Sequence, residues 1–294
     1  MPYTVVVVLH DSAPELGALL RSLDRFAPAR PQVVAVDAGS RDDGPDVAAA
    51  WGAEVVGLPG DPGYGAANDA GVERARFGVT VLLNPDCELL DDSLGALAAR
   101  ARHRPGALHA PRLLDGDGSV QRSAHPLPGT VGALLAAPLP TPLLPRALRE
   151  RVEPFRAERP RSVGWVIGAC LAGATDVLRG LGPFDPAVHL FAEDMDLCLR
   201  ARAAGMPTLL HPGLRVRHTG GHATRRAGEP LDLLARRRRT VIGATRGRAA
   251  RALDDAAQGL TFASRAAGHT LLGGDAVRPR RQLGALARAI AGRP

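Results

Sequence analysis

The chain has no lysine: all 37 of its strongly basic residues are arginine. With 34 Gly and 25 Pro beside abundant Ala, this reads as a composition bias of the coding sequence rather than a surface selected for one cation. Aromatic residues make up only 3% of the chain, and the densest basic run, residues 230–251, contains none. Proteins that hold single-stranded nucleic acid interleave basic groups with stacking rings, so a nucleic-acid partner is not expected. Three cysteines, Cys87, Cys170 and Cys198, stand at unrelated spacings. They form neither a zinc knuckle nor a disulfide frame, which suits a reducing cytoplasm. The longest apolar tract, Thr130 to Leu144, is broken by Pro138, Pro140 and Pro142, so no membrane-spanning helix is expected. The N-terminus runs directly into a strand-like segment, so no signal peptide is expected.

What is present fits one large α/β domain or two smaller ones in 294 residues, with an ordinary 45% hydrophobic content. A net charge of +7 favours anionic partners such as nucleotides or phospholipid head groups. Thr4 to Leu9 (TVVVVL) is a continuous apolar run, as in a strand covered on both faces of a parallel sheet. Leu16, Leu19, Leu20 and Leu23 then repeat at helical spacing. Strand-like runs recur at 32–36, 54–57 and 79–83, with helical stretches to about Trp51 and over 66–76. Such alternation predicts a doubly wound α/β domain, whose ligands gather beyond the carboxyl ends of the strands.

Three polar clusters close those strands: His10-Asp11-Ser12, Asp37-Ala38-Gly39-Ser40 and Asn84-Pro85-Asp86. The Asp37 carboxylate is either a turn-former or an acceptor for a base or ribose. Gly60 to Gly71 (GDPGYGAANDAG) is a glycine-rich loop entering a helix, where backbone N–H groups can approach a phosphate. In Val81 to Asp86 (VLLNPD) a buried strand delivers one carboxylate, and Mg²⁺ or Mn²⁺ beside a diphosphate needs only one or two such ligands. Asp115-Gly116-Asp117-Gly118 lacks the length of a calcium loop and is expected to be a hairpin tip. Near the middle, GPFDPAVHLFAEDMDLCLRARAAG (Gly182 to Gly205) starts in proline turns and becomes helical after Phe191, with Asp196 and Arg200 as an i, i+4 pair. Glu193 and Asp194 fall at that helix start. From the residues alone they either cap the helix or, against Phe184 and Phe191, form a partly dry general base.

The block FDPAVHLFAEDMDLCLRARAAG resembles the E-D-x-D-L-C-x-R segment of family 2 glycosyltransferases, in particular the rhamnosyltransferase-like branch. VVAVDAGSRDDG, GYGAANDAG, VLLNPD and RHTGG resemble that family's nucleotide-binding strand end, donor loop, D-x-D-type metal motif and H-x-x-G segment. The resemblance implies a GT-A, Rossmann-like fold over residues 1–225 with a basic helical extension over 226–294. It implies inverting sugar transfer from a nucleotide-diphosphate donor, with rhamnose favoured, to a glycan or lipid-linked acceptor of the cell envelope. Asp194 would be the catalytic base. Asp11, Asp37, Gly65, Asn68, Asn84 and Asp86 would bind the nucleotide sugar. Gly168, Ala169 and Glu193 would face the acceptor, and Asp86 with His218 would hold Mg²⁺ or Mn²⁺. Ala38, His189 and Ala192 depart from the family's usual residues, so a catalytically inactive sugar-nucleotide-binding relative stays open. A sugar-phosphate nucleotidyltransferase would want a basic glycine loop straight after the first strand, where His10-Asp11-Ser12 stands. The Pro- and Arg-rich tract 126–160 reads as a flap or a surface insertion. The Arg236 to Arg239 tail reads as a solvated face or as a surface for anionic lipid, which would place the protein peripherally at the inner face of a membrane.

Overall fold

Thr4–Leu9 forms β1, buried along its whole length, and a βα succession grows from it. In chain order come α1 (Ala13–Phe26), β2 (Gln32–Asp37), α2 (Gly44–Trp51), β3 (Glu54–Gly57), α3 (Tyr64–Glu73), β4 (Val79–Leu83), β5 (Cys87–Leu89) and α4 (Ser93–His103). They are followed by β6 (Leu108–Leu114), β7 (Ala124–His125), α5 (Val131–Ala136), α6 (Arg146–Val152), β8 (Arg161–Val163), β9 (Trp165–Val166) and β10 (Cys170–Ala174). The last elements are α7 (Thr175–Gly180), α8 (Glu193–Ala203), β11 (Thr208–His218), α9 (Leu231–Leu271) and α10 (Val277–Ile290). This computed structural model describes residues 2–28, 30–139, 141–181, 191–220 and 230–292. Two units emerge, Met1–Ala124 with Ala157–Gly220, and His125–Arg156 with Gly221–Pro294. The tract expected as a flap or insertion therefore groups with the C-terminal helices. The expected boundary at 225/226 lies outside the described residues.

The first unit is a mixed sheet in the order β3-β2-β1-β4-β10-β6-β11-β5, with β8 beside β11. Strands β1 to β4 are parallel to one another, as their alternation with helices predicted. Beyond β4 the sheet turns mixed, because β10 runs antiparallel to both β4 and β6. Leu16, Leu19, Leu20 and Leu23 of α1 are buried, and Pro14 stands in its first turn, where its missing N–H costs nothing. The free Ala13 N–H of that turn donates to Asp42 Oδ2 at 2.7 Å, so the loop after β2 caps the helix after β1. Helix α3 lies hard against β1 at Gly71, where a Cβ would come within 2.3 Å of Val6 Cγ1. Phe191 cannot enter α8 directly: it and Ala192 both take left-handed φ, at 69° and 72°.

Two segments depart from simple strand geometry. The apolar run 163–173 divides among β8, β9 and β10. The Ile167 N–H donates to Ser123 O and Ala169 O accepts from the Asn84 N–H, and these bonds draw the chain out of regular pairing. Strand β11 runs from Thr208 to His218, with a register shift between His211 and Arg215 where Pro212 lacks a donor. Glu88 lies in β5 and accepts from Arg217 Nη1 at 2.7 Å. Residues 115–118 do form a turn, with the Gly118 N–H donating to Asp115 O at 2.9 Å.

In the second unit α9 reverses direction at Gly247 (φ 84°, ψ 174°). Arg238 Nε and Nη2 donate to Asp254 at 2.7 and 2.8 Å, and Arg239 Nε donates to both oxygens of Asp255 at 2.9 and 3.1 Å. In a straight helix residues sixteen apart stand about 24 Å from each other. The two ion pairs therefore define a helical hairpin, with Gly247 at its tip and α10 packed along it. Gly129, just before α5, abuts the hairpin so closely that a Cβ would fall within 2.3 Å of Ala250 O.

Candidate active site

The sheet edge at the carboxyl ends of β1, β2 and β4 gathers the residues singled out from sequence. Antiparallel pairing sets Cys170 of β10 opposite Leu83, so the approach to β10, Gly168 and Ala169, arrives at the same edge. Antiparallel pairing of β5 with β11 sets His218 opposite Cys87, next to Asp86. Asp11 follows β1 with φ 50°, and its Oδ1 accepts from the Arg41 N–H at 2.7 Å. Asp37 Oδ1 accepts from the Ser40 N–H at 2.9 Å, and the Asp11 N–H donates to Ser40 Oγ at 3.3 Å. One short loop thus ties Asp11 and Asp37 together. The Ala38 side chain is 2% exposed and faces the core, so no polar side chain is offered from this position.

The glycine-rich loop enters α3 at Tyr64, two residues earlier than expected, with Gly65 buried in the first turn. Asn68 is also buried, donating from Nδ2 to Tyr64 O at 2.9 Å. Its Oδ1 lies inside the protein without a hydrogen-bond partner, so it is Tyr64 that α3 presents to the other clusters. The Tyr64 hydroxyl donates to Asn84 Oδ1 at 2.8 Å and lies 3.1 Å from Gly168 O. Burial pushes this phenol well above its ordinary pKa of 10, which keeps it a donor. The sequence reading passed over Tyr64. As one of only two tyrosines, in the middle of a glycine-rich loop, it carried a signal.

Asp86 and His218 meet: Asp86 Oδ1 is 3.2 Å from His218 Nε2, and both side chains are buried. On the far side of the ring, His218 Nδ1 lies 2.9 Å from Gln121 Oε1. The orientation of the Gln121 amide is set by two acceptors, Asp115 Oδ1 at 2.7 Å and His218 O at 3.3 Å, both of which take its Nε2–H. Oε1 is therefore turned to the ring and Nδ1 carries the proton. Asn84 Nδ2 lies 3.4 Å from Nε2. An imidazole nitrogen and a carboxylate at one point suit a divalent cation, which would draw its remaining ligands from phosphate and water. Among the described residues no group of three or more His, Cys, Asp or Glu is placed to hold a metal ion, and Asp86 and His218 are the candidate ligands. Gln121 and Asp115 were not predicted as site residues. Only the fold brings the 115–118 turn beneath β11.

Asp194, in the first turn of α8, has its Oδ2 3.0 Å from the Gly168 N–H and its Oδ1 2.6 Å from the Met195 N–H. Burial pushes its carboxyl up to about 6, against the opposing pull of those backbone donors. Gly168 has little room for any side chain, since a Cβ there would stand 3.3 Å from Asp194 Cβ and 3.7 Å from Tyr64 Cε1. Its place at the site follows from what it leaves open for Asp194 and Tyr64. Ala169 corrects its expectation: the side chain is 3% exposed within the apolar core, so it packs the sheet rather than lining an acceptor pocket. Glu193 is buried at the helix start beside Asp194. The i, i+4 pair is present, with Arg200 Nε donating to Asp196 at 2.7 Å. Pro183, Phe184, Pro186 and His189 lie outside the described residues.

Residues 4–163 match the profile of Glycosyl transferase family 2. The N-acetylglucosaminyl-diphospho-decaprenol L-rhamnosyltransferase of Mycobacterium tuberculosis is 35% identical over 254 residues, covering 79% of this chain and 80% of that protein. Among solved structures, the mannosyltransferase PcManGT of Pyrobaculum calidifontis, in complex with GDP-Man and Mn²⁺, superposes with a TM-score of 0.59 at 14% identity, over 98% of this chain and 84% of that one. GalNAc-T7 with UDP, GalNAc and Mn²⁺ superposes with a TM-score of 0.57 at 19% identity, over 81% of this chain and 47% of that one. These two likenesses show the fold, which is GT-A. With the profile spanning more than half the chain and a relative aligned over most of it, the protein belongs to glycosyltransferase family 2, in its rhamnosyltransferase-like branch.

Proposed function

We propose that the protein transfers a sugar, rhamnose being the favoured one, from a nucleotide-diphosphate donor to a hydroxyl of a lipid-linked glycan of the cell envelope, with inversion. The observation that carries this reading is the Asp194 carboxyl, raised to about 6 by burial and clamped by two backbone N–H groups at the carboxyl edge of the sheet. At neutral pH it is mostly ionised yet basic enough to take a proton, which is what a general base requires. Asp194 accepts the proton of the acceptor hydroxyl as that oxygen bonds to the anomeric carbon. The bond from that carbon to the diphosphate breaks on the opposite face, and the nucleoside diphosphate leaves with the electron pair. Asp37, with Asp11 fixed beside it, faces the nucleoside, and Tyr64 holds Asn84 in place. Asp86 and His218 are the residues that would hold Mg²⁺ or Mn²⁺, which there would offset the charge of the departing diphosphate.

The lipid-linked acceptor rests on the printed name of the rhamnosyltransferase relative. No helix among the described residues is long and apolar enough to cross a membrane, so the reading takes membrane contact to be peripheral. The deciding experiment is the Asp194→Asn variant. Asn keeps the shape of Asp and one acceptor oxygen for the Gly168 and Met195 N–H groups, so the folded variant should still bind donor, whereas turnover drops about 10²- to 10⁴-fold. Near-normal turnover in the folded variant removes the base from Asp194.

A further inference from the structure

The arginines of the second unit fall into two sets. Arg238 and Arg239 are turned inward and held by Asp254 and Asp255, so half of the Arg236 to Arg239 run, read as either a solvated face or a surface for lipid, is held inside the hairpin. Arg236, at the exposed side of α9, joins Arg280, Arg281 and Arg288 of α10 around an open groove of about 540 Å³. Its lining holds one acid, Asp232, whose two oxygens accept from Arg288 at 2.8 and 3.1 Å. Arg236 and Arg281 add their fields to that carboxylate, after Arg288, and hold it below its ordinary range. Four arginines thus line the groove beside one carboxylate, leaving a surplus of positive charge. Gly284 stands between Arg281 and Arg288 on α10 and presents no side chain to fill the space.

Beside the groove the chain exposes apolar side chains. Arg280 Nη2 lies 3.1 Å from Thr270 Oγ1, which ties the groove to the last turn of α9. Leu271 and Leu272 follow at once, 85% and 89% exposed, and Val277 at the start of α10 is 61% exposed. Adjacent leucines so open to water at a helix turn have no packing role within the unit. An arginine groove that suits phosphate geometry, flanked by a leucine tip, is complementary to one surface: an anionic bilayer.

We propose that this groove seats the phosphate head groups of an anionic membrane while Leu271, Leu272 and Val277 enter its interfacial layer. The inference deepens the peripheral-membrane part of the reading above. The test is co-flotation of the full chain with phosphatidylcholine vesicles containing or lacking phosphatidylglycerol, at low salt. Wild type floats with the anionic vesicles only. Arg236→Ala/Arg281→Ala lowers the partition coefficient about 30-fold, the weight of two arginines at an anionic surface. Arg151→Ala/Arg248→Ala removes the same charge from exposed positions outside the groove lining and lowers it far less. Leu271→Ser/Leu272→Ser weakens flotation without changing net charge. Equal losses in the two arginine pairs mean diffuse attraction and overturn the groove. An unaffected leucine variant, with inorganic pyrophosphate displacing the vesicles, overturns the bilayer in favour of a soluble anion. Absence of wild-type flotation also overturns the proposal. Nucleotide-sugar binding, measured on the same samples, is unchanged in every variant, so loss of flotation with donor binding intact leaves the transferase reading standing.

Discussion

Asp194 and His218 are both held by hydrogen bonds that fix where their free electron pairs point. For Asp194 the consequence is a pH profile. Its carboxyl is raised to about 6, so the ionised base is lost as pH falls through that value. Turnover under subsaturating acceptor should fall about tenfold per pH unit below it and level off above, a limb that a capping aspartate would not produce. For His218 the consequence lies in Gln121. Gln121→Leu leaves the ring without the acceptor that fixes its tautomer, and loss of such a partner costs about 10- to 100-fold in metal affinity. Titrating Mn²⁺ into protein with nucleoside diphosphate present, read by the paramagnetic signal of free Mn²⁺, should show that loss in Gln121→Leu. Asp117→Ala makes the natural control: it sits on the same turn but bonds to Ser119 instead. If both variants bind Mn²⁺ like wild type, Gln121 merely packs.

At the scale of elements, the non-glycine residues with left-handed φ among those described are Asp11, Phe191 and Ala192, at the end of β1 and the start of α8. Such residues cost of order 1–3 kcal/mol each and persist where the surrounding structure holds them. Here they turn Asp11 towards the 38–41 loop and bring the first turn of α8 under Gly168. The α9 hairpin uses the opposite device, a glycine in a conformation closed to other residues. Gly247→Ala should therefore cost about 1–3 kcal/mol, seen as a lower urea midpoint for unfolding. An unchanged midpoint would mean that the chain does not reverse there.

At the scale of the whole molecule, stability should depend on pH through a buried pair of histidines joining β6 to β11. His109 Nδ1 and His211 Nε2 are 3.0 Å apart, with the rings stacked at 5.2 Å, and His109 Nε2 bonds Arg104 O. One ring nitrogen of the pair must accept, so at least one ring is neutral. Burial lowers both, His211 from 6.5 to about 4. Between those two values the unfolded chain binds more protons at these positions than the folded one, so acidification draws the equilibrium towards unfolding. The melting temperature should fall from pH 7 to pH 5, and His211→Gln should flatten that slope. A slope unchanged in the variant assigns the acid sensitivity to other groups.

The sequence by itself determined the elements and much of the site's inventory. Period and capping are local, so β1 to β4, α1 and the acids opening α8 could be read directly. The clusters closing β1, β2 and β4 could be placed at one sheet edge because parallel strands all end on the same side. What only the tertiary structure decided depends on pairing between segments far apart in the chain. The register of β5 against β11 brought His218 to Asp86, and the path into β10 put the Gly168 N–H on Asp194. The same non-local packing turned Ala169 into the core, set Gln121 behind His218, and folded α9 so that Arg238 and Arg239 face acids sixteen residues on. Periodicity shows which face of a segment is apolar. It does not show which other segment will cover that face.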